Sequence, residues 1–182
     1  MPSFTIHIAV AKEYIKKHKS EIQDECEFIK GNYAPDLEVD MKTPAKDKNK
    51  THYGNWDIWP VEIRFLEFFY DEKVDLSKDF WKGYLLHLLT DEYFYTKTFP
   101  KETQYILENN DSFYKDYNCL NKDIMEQYNI NIIEDIKKYM TFIKGKTKYL
   151  EKDKIISFIE EMSDIDLDEE IKRLNKKERS CI

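Results

Sequence analysis

Glycine and proline are scarce in this sequence, with 4 and 5 among 182 residues. An all-β protein relies on tight turns that use both, so their shortage points to helices. Cysteine is equally sparse: Cys26, Cys119 and Cys181 are odd in number, widely spaced and without a CxxC pair. They read as reduced thiols of a cytosolic protein, and Cys181, next to last, does not make a prenylation box. Long apolar runs are missing, so no segment has the length to cross a bilayer. The opening MPSFTIHIAVAKEYIKKHK puts a short apolar patch before its lysines, the reverse of a secretory signal. An excess of positive charge is lacking as well. The net charge of −7 argues against a nucleic-acid groove built on a basic field. It leaves a phosphorylated substrate open, because bound cations invert the local field. These shortages lead to the expectation of a cytoplasmic, all-α protein folding as a single domain over residues 1–182, with no internal repeat.

What is present supports that outline. Apolar residues at 41% suffice for a sizeable core, and the 36% that are charged suit amphipathic helices with one wet face. Helices are expected over 3–19, then after the capping-box pattern Ser20-Glu-Ile-Gln23, with Gly31 as the residue that ends the second. Residues 37–57, with the basic run Lys42 to Lys50, read as a solvated surface loop. Pro60 suits the start of a helix over 60–70, and Ser77 suits the cap of a long helix running to about Thr98. Further amphipathic stretches fall near 101–109, 112–128, 131–144, 151–162 and 167–177. The aromatic cluster of Phe65, Phe68, Phe69, Phe80, Trp81, Tyr84, Tyr93, Phe94 and Tyr95 follows helical spacing and reads as core. Trp56 and Trp59 suit either a pocket mouth or core packing. Gly145-Lys-Thr147 imitates the end of a P-loop, but the required upstream glycine is Met140, so no nucleotide site is expected.

Inside the long helix, Gly83-Tyr-Leu-Leu-His-Leu-Leu-Thr-Asp91 places His87 and Asp91 one turn apart on one face. Polar groups in so apolar a segment need partners. Two readings satisfy that need: a His–Asp hydrogen bond, or a shared metal ion. Of the 4 histidines, His18 lies among lysines and reads as exposed, whereas His7, His52 and His87 lie in apolar or turn-forming surroundings. Asp36 follows Pro35, which biases Ala34 away from helix and puts the aspartate in an extended or turn segment.

Taken in order, His7, Ala34-Pro-Asp36, Thr51-His52 and the HxxxD of His87 and Asp91 resemble the bacterial zinc-dependent phospholipase C family, and more distantly the fungal zinc single-strand nucleases. The likeness spans roughly the first half of the chain. It implies an all-helical bundle of the zinc-dependent phospholipase C type that hydrolyses phosphate esters. It further implies that Asp36, His52, His87 and Asp91 hold one zinc ion, and that His7 and a bridging Asp91 hold a second. The family's amine ligand is not expected here, since six residues precede His7. The third zinc of the family uses downstream histidines, and this chain has none after His87. A third site would have to draw on Glu92, Asp111, Asp116 or Asp123, with Asp116 the foremost candidate and a helix-surface aspartate its plainer reading.

The donor chemistry suits zinc, and manganese or iron would accept it too. A bridged pair of ions is the recurrent arrangement for phosphoester hydrolysis, with Asp36 as catalytic general base. Thr51, Thr90 and Tyr93 are candidates to orient the ligands from outside. The expected substrate is a small phosphorylated or phospholipid-like molecule. A non-catalytic metal-binding helical protein that has lost part of the multi-metal site is the alternative, and a helical interaction module without ions is a third.

Overall fold

A computed structural model describes residues 2–37, 45–55, 62–99, 110–131, 134–138 and 140–179. The protein is mostly helical there. Its helices are α1 (Phe4–Lys17), α2 (Glu25–Tyr33), α3 (Ala45–His52), α4 (Phe65–Phe69), α5 (Asp79–Tyr93), α6 (Asn110–Gln127), α7 (Glu134–Lys137), α8 (Lys152–Ser163) and α9 (Leu167–Arg179). A 3-10 turn, Ala34–Asp36, follows α2, and a π-helical turn, Phe94–Thr98, prolongs α5. Among the described residues the extended structure is one short antiparallel pair, β1 (Gly54–Asn55) with β2 (Glu62–Ile63), in which Gly54 faces Ile63. No helix among the described residues is long and apolar enough to cross a membrane.

Two helices form the centre because they are apolar on every side. Residues 5–11 of α1 and 83–91 of α5 are buried without interruption. Helix α1 packs against α2, α6 and α8, the last offering Ile155, Phe158, Ile159 and Met162 from one face. Helices α2 and α5 make the closest contact in the molecule. They run parallel, each pair one turn on from the last: Asp24 meets Asp79, Phe28 meets Gly83, and Asn32 meets His87. The register is fixed at its start by the Asp79 carboxylate, which accepts the backbone N–H groups of Gln23 and Asp24 at 2.8 and 2.7 Å. Backbone then lies on backbone. A Cβ on Gly31 would stand 1.8 Å from the Phe80 carbonyl oxygen, and one on Gly83 2.0 Å from that of Phe28.

Several sequence expectations change at this level. Gly31 does not terminate α2; it lies inside it and permits the crossing with α5. The cap of α2 is Asp24, whose carboxylate accepts from the Glu27 N–H at 3.0 Å, rather than Ser20. Residues 45–52, expected as loop, are helical: lysine and alanine favour helix even where apolar periodicity is absent. Residues 62 and 63, expected as helix, pair as strand, leaving only Phe65–Phe69 helical. Helix α5 is preceded by Lys78 without a side-chain cap, while the Ser77 hydroxyl is engaged by Asp75 at 2.7 Å. Among the described residues within 131–144, the helix is Glu134–Lys137. The expectations for Trp56, Trp59, Pro60 and the helix at 101–109 lie outside the described residues.

Candidate metal centre

Four segments distant in sequence deliver five donor side chains to one buried point. His7 comes from the second turn of α1, Asp36 from the turn after α2, His52 from the last position of α3, and His87 and Asp91 from α5. The three imidazoles and Asp91 have no solvent exposure, and Asp36 has 3%. His52 Nε2 lies 3.1 Å from Asp36 Oδ1 and 3.8 Å from Asp91 Oδ2, and His87 Nε2 lies 3.5 Å from Asp91 Oδ2. His7 Nε2 is 3.5 Å from Asp91 Oδ1. The rings of His7 and His87 stack at 3.9 Å, and that of His52 stands edge-on to His87 at 5.2 Å. Two triads, His7/Asp36/His87 and His52/His87/Asp91, each gather one ligand atom per residue within 4.8 Å. His87 is common to both, a different partition from the one the family likeness implies.

Main-chain and hydroxyl partners set the ring orientations. His87 Nδ1 lies 2.7 Å from the Asn32 carbonyl, which can only accept, so Nδ1 carries a proton and Nε2 is the nitrogen turned to Asp91. The parallel α2–α5 crossing is what brings that carbonyl there. Thr51 donates its hydroxyl to the Lys48 carbonyl at 3.3 Å and accepts from His52 Nδ1 at 2.8 Å, which turns His52 Nε2 to the centre. His52 ends α3 because Tyr53 takes a left-handed conformation at φ 46°, a strain held by its hydroxyl on Asp71 at 2.7 Å and its ring against Phe68.

The result is a set of acceptors facing acceptors. Both nitrogens of His7, Nε2 of His87 and both oxygens of Asp91 are buried without a hydrogen bond, although their separations are those of ion pairs. Buried polar atoms left so are costly, about 1–3 kcal/mol each. A cation among them can satisfy four of the five, one nitrogen of His7, His87 Nε2 and the two Asp91 oxygens, the other His7 nitrogen carrying its proton, and zinc fits this imidazole–carboxylate donor set. Electrostatics divide: His7 is set up as a neutral ligand, whereas the raised His87 favours an imidazolium paired with the carboxylates. Burial, reinforced by the neighbouring His87, pushes His7 down to about 4, so it is neutral and able to ligate at neutral pH. Burial opposes ionisation of Asp91, yet His87 and His7 hold it well below the usual carboxylate range. Asp36 is lowered in the same way by His87 and His52 against its burial. His87 is raised, since Asp36 and Asp91 outweigh its own burial.

Other expected residues fall elsewhere. Thr90 donates to the Leu86 carbonyl within α5, and Tyr93 donates to Glu170 on α9, so of the three outer candidates only Thr51 touches a ligand. Asp116 is neither a metal ligand nor a surface residue: buried, it accepts the backbone N–H groups of Lys148, Tyr149 and Leu150 at 2.6 to 2.9 Å. Glu92 pairs with Arg173 and Asp123 with Lys152. The side chain of Asp111 lies outside the described residues. His18 is partly buried, stacked on Tyr14 at 4.1 Å and paired with Glu21.

Two contributors were missed in the sequence. The Asn32 carbonyl is a main-chain atom and leaves no trace in residue type. Tyr117 on α6 is buried with its hydroxyl unpartnered, and its ring lies 6.3 Å from Phe94, one turn beyond Asp91. Burial and the charges of Tyr114, Asp91, Asp116 and Asp36 hold its phenol protonated well above the ordinary value. It adjoins Asp116 in the stretch Tyr114 to Asn118: the right segment drew attention for the wrong side chain. No family model, curated protein or solved structure matches the chain.

Proposed function

We propose that this protein is a metal-dependent phosphoesterase, a hydrolase of the zinc-dependent phospholipase C type in fold and donor set, acting on a small phosphorylated or phospholipid-like substrate. The observation that carries the reading is the convergence of His7, His52, His87, Asp36 and Asp91 with four ligand atoms, one from His7, one from His87 and two from Asp91, buried and unbonded. Zinc is the preferred ion, with manganese or iron acceptable to the same donors. When bound, such ions act as Lewis acids on a phosphoryl oxygen and lower the pKa of a coordinated water. Two carboxylates with neutral imidazoles balance one divalent ion. A second ion leaves the pocket positive, a field that a phosphate ester complements.

The chain's own groups then divide the work. Asp36, ionised and the only one of the five that solvent reaches, accepts the proton of the attacking water. The Asn32 carbonyl and the Thr51 hydroxyl hold the rings of His87 and His52 with their Nε2 lone pairs inward. Among the described residues the downstream carboxylates Glu92, Asp116 and Asp123 are engaged elsewhere, so the proposal stops at two ions.

The near-complete burial of the donors favours a second reading, a helical protein that holds metal without catalysis. Elemental analysis of the purified protein, followed by assay of zinc- and manganese-loaded protein on p-nitrophenyl phosphate mono- and diesters, separates the two. Turnover that His87→Ala abolishes supports the hydrolase. Bound metal with no turnover supports the second reading, and absence of bound metal defeats both.

A further inference from the structure

The segment that imitates a P-loop has a different character in three dimensions. Residues 140–151 are irregular, yet their backbone is strapped to α6 at three points. The Thr141 carbonyl accepts from Asn121 at 3.0 Å, the Ile143 N–H donates to the Asn118 carbonyl at 3.0 Å, and Asp116 gathers the N–H groups of Lys148, Tyr149 and Leu150. A backbone held this firmly turns two large apolar side chains outward. Phe142 is 45% and Ile143 39% exposed, and with Tyr70 they are the only exposed large hydrophobics among the described residues. Lys144, Lys146 and Lys148 follow at alternate positions, and the sequence from Ile136 to Leu150 contains no acidic residue. Lys144 and Lys146 are exposed and make no ion pair or hydrogen bond within the described residues. Phe142 also borders a groove of about 450 Å³ against α6, lined by Lys122, Met125, Asn129 and Ile130, where Glu126 is neutralised by Lys122 at 3.5 Å.

We propose that the 141–148 loop is a docking surface for an anionic lipid bilayer, with Phe142 and Ile143 entering the interface and Lys144 and Lys146 on the headgroup phosphates. Charge complementarity carries the choice of partner: on a chain of net charge −7, two lysines unpaired among the described residues and set beside exposed apolar side chains form a local positive patch that attracts an anionic surface. The apolar pair carries the rest. An isoleucine beside a phenylalanine suits the headgroup–acyl boundary, whereas a nucleic acid calls for arginines and stacking rings. A second copy of the chain would need roughly 800 Å² per partner, which two side chains cannot supply. The proposal uses none of the five donor residues and needs no turnover to be tested.

The test is co-sedimentation of the full chain, metal-free and metal-loaded, with vesicles of phosphatidylcholine alone or of equal phosphatidylcholine and phosphatidylglycerol. The expected result is binding to the anionic vesicles alone, weakened by salt. Lys144→Glu/Lys146→Glu and Phe142→Ser/Ile143→Ser should each weaken it at least ~10-fold, with an unchanged melting temperature since all four side chains are exposed. No sedimentation with anionic vesicles, equal binding to both compositions, wild-type binding by either double variant, or preferential retention on single-stranded DNA overturns the proposal.

Discussion

Asp91 sits where the two explanations of the buried cluster part company. If the cluster is ion-free and Asp91 pairs with a protonated imidazole, then Asp91→Asn breaks a buried ion pair and costs ~3–5 kcal/mol. If it is a metal centre with neutral imidazoles, the Asp91 carboxylate, neither of whose oxygens is hydrogen-bonded, has the ion as its main partner and lacks it in the metal-free protein. Asp91→Asn should then leave the metal-free melting temperature unchanged or higher, and abolish the rise on adding zinc. Calorimetry with and without the ion reads both quantities. The visibility of these residues in the sequence was uneven for physical reasons. His87 and Asp91 stood out because a four-residue spacing on an apolar helix places two polar groups together without solvent. Asp116 was misread because its partners are three backbone N–H groups, which any residues supply.

At the scale of elements, the α2–α5 pair determines whether the centre forms. Its first clamp is Asp79, and that clamp is pH-dependent. Burial would raise the Asp79 carboxyl, but the N–H groups of Asp24 and Gln23 and the Lys82 ammonium hold it below its ordinary value. A lowered folded pKa gives stability that is present above the unfolded value and lost as pH falls through the folded one. Asp79→Ala should therefore cost ~2 kcal/mol at neutral pH, a difference that shrinks as the pH falls through the lowered folded-state value of Asp79, beneath the ordinary carboxylate range. Urea melts of both proteins across that range check it. Helix content was legible from apolar spacing, but boundaries were not where a residue serves two purposes. Gly31 suits a helix end as well as a helix crossing, and only the backbone of Phe80 opposite shows which applies. Helix α3 has no apolar periodicity to betray it, because what anchors its end reaches outside its own sequence: His52 to Asp36, and the Tyr84 hydroxyl to the Thr51 carbonyl.

For the whole molecule, the five donors tie α1, the turn after α2, α3 and α5 into one node. An ion there would bind the folded chain and not the unfolded one, and would add to global stability about 2.7 kcal/mol at about a hundredfold excess of free ion over its dissociation constant. Chelation should lower the melting temperature of the wild type, and zinc should restore it. In His87→Ala neither treatment should have an effect, and a thermal melt in each condition decides.

The glycine contacts between α2 and α5 have one more consequence. Side chains at a helix crossing act as cushions, taking up small tilts by changing rotamer. With hydrogen atoms alone at Gly31 and Gly83, the Asn32 carbonyl is geared rigidly to α5 and cannot drift from the His87 ring. Were the five donors to hold an ion, a main-chain brace of this kind on His87 would favour a cavity of fixed width over one that adapts to the ion's radius.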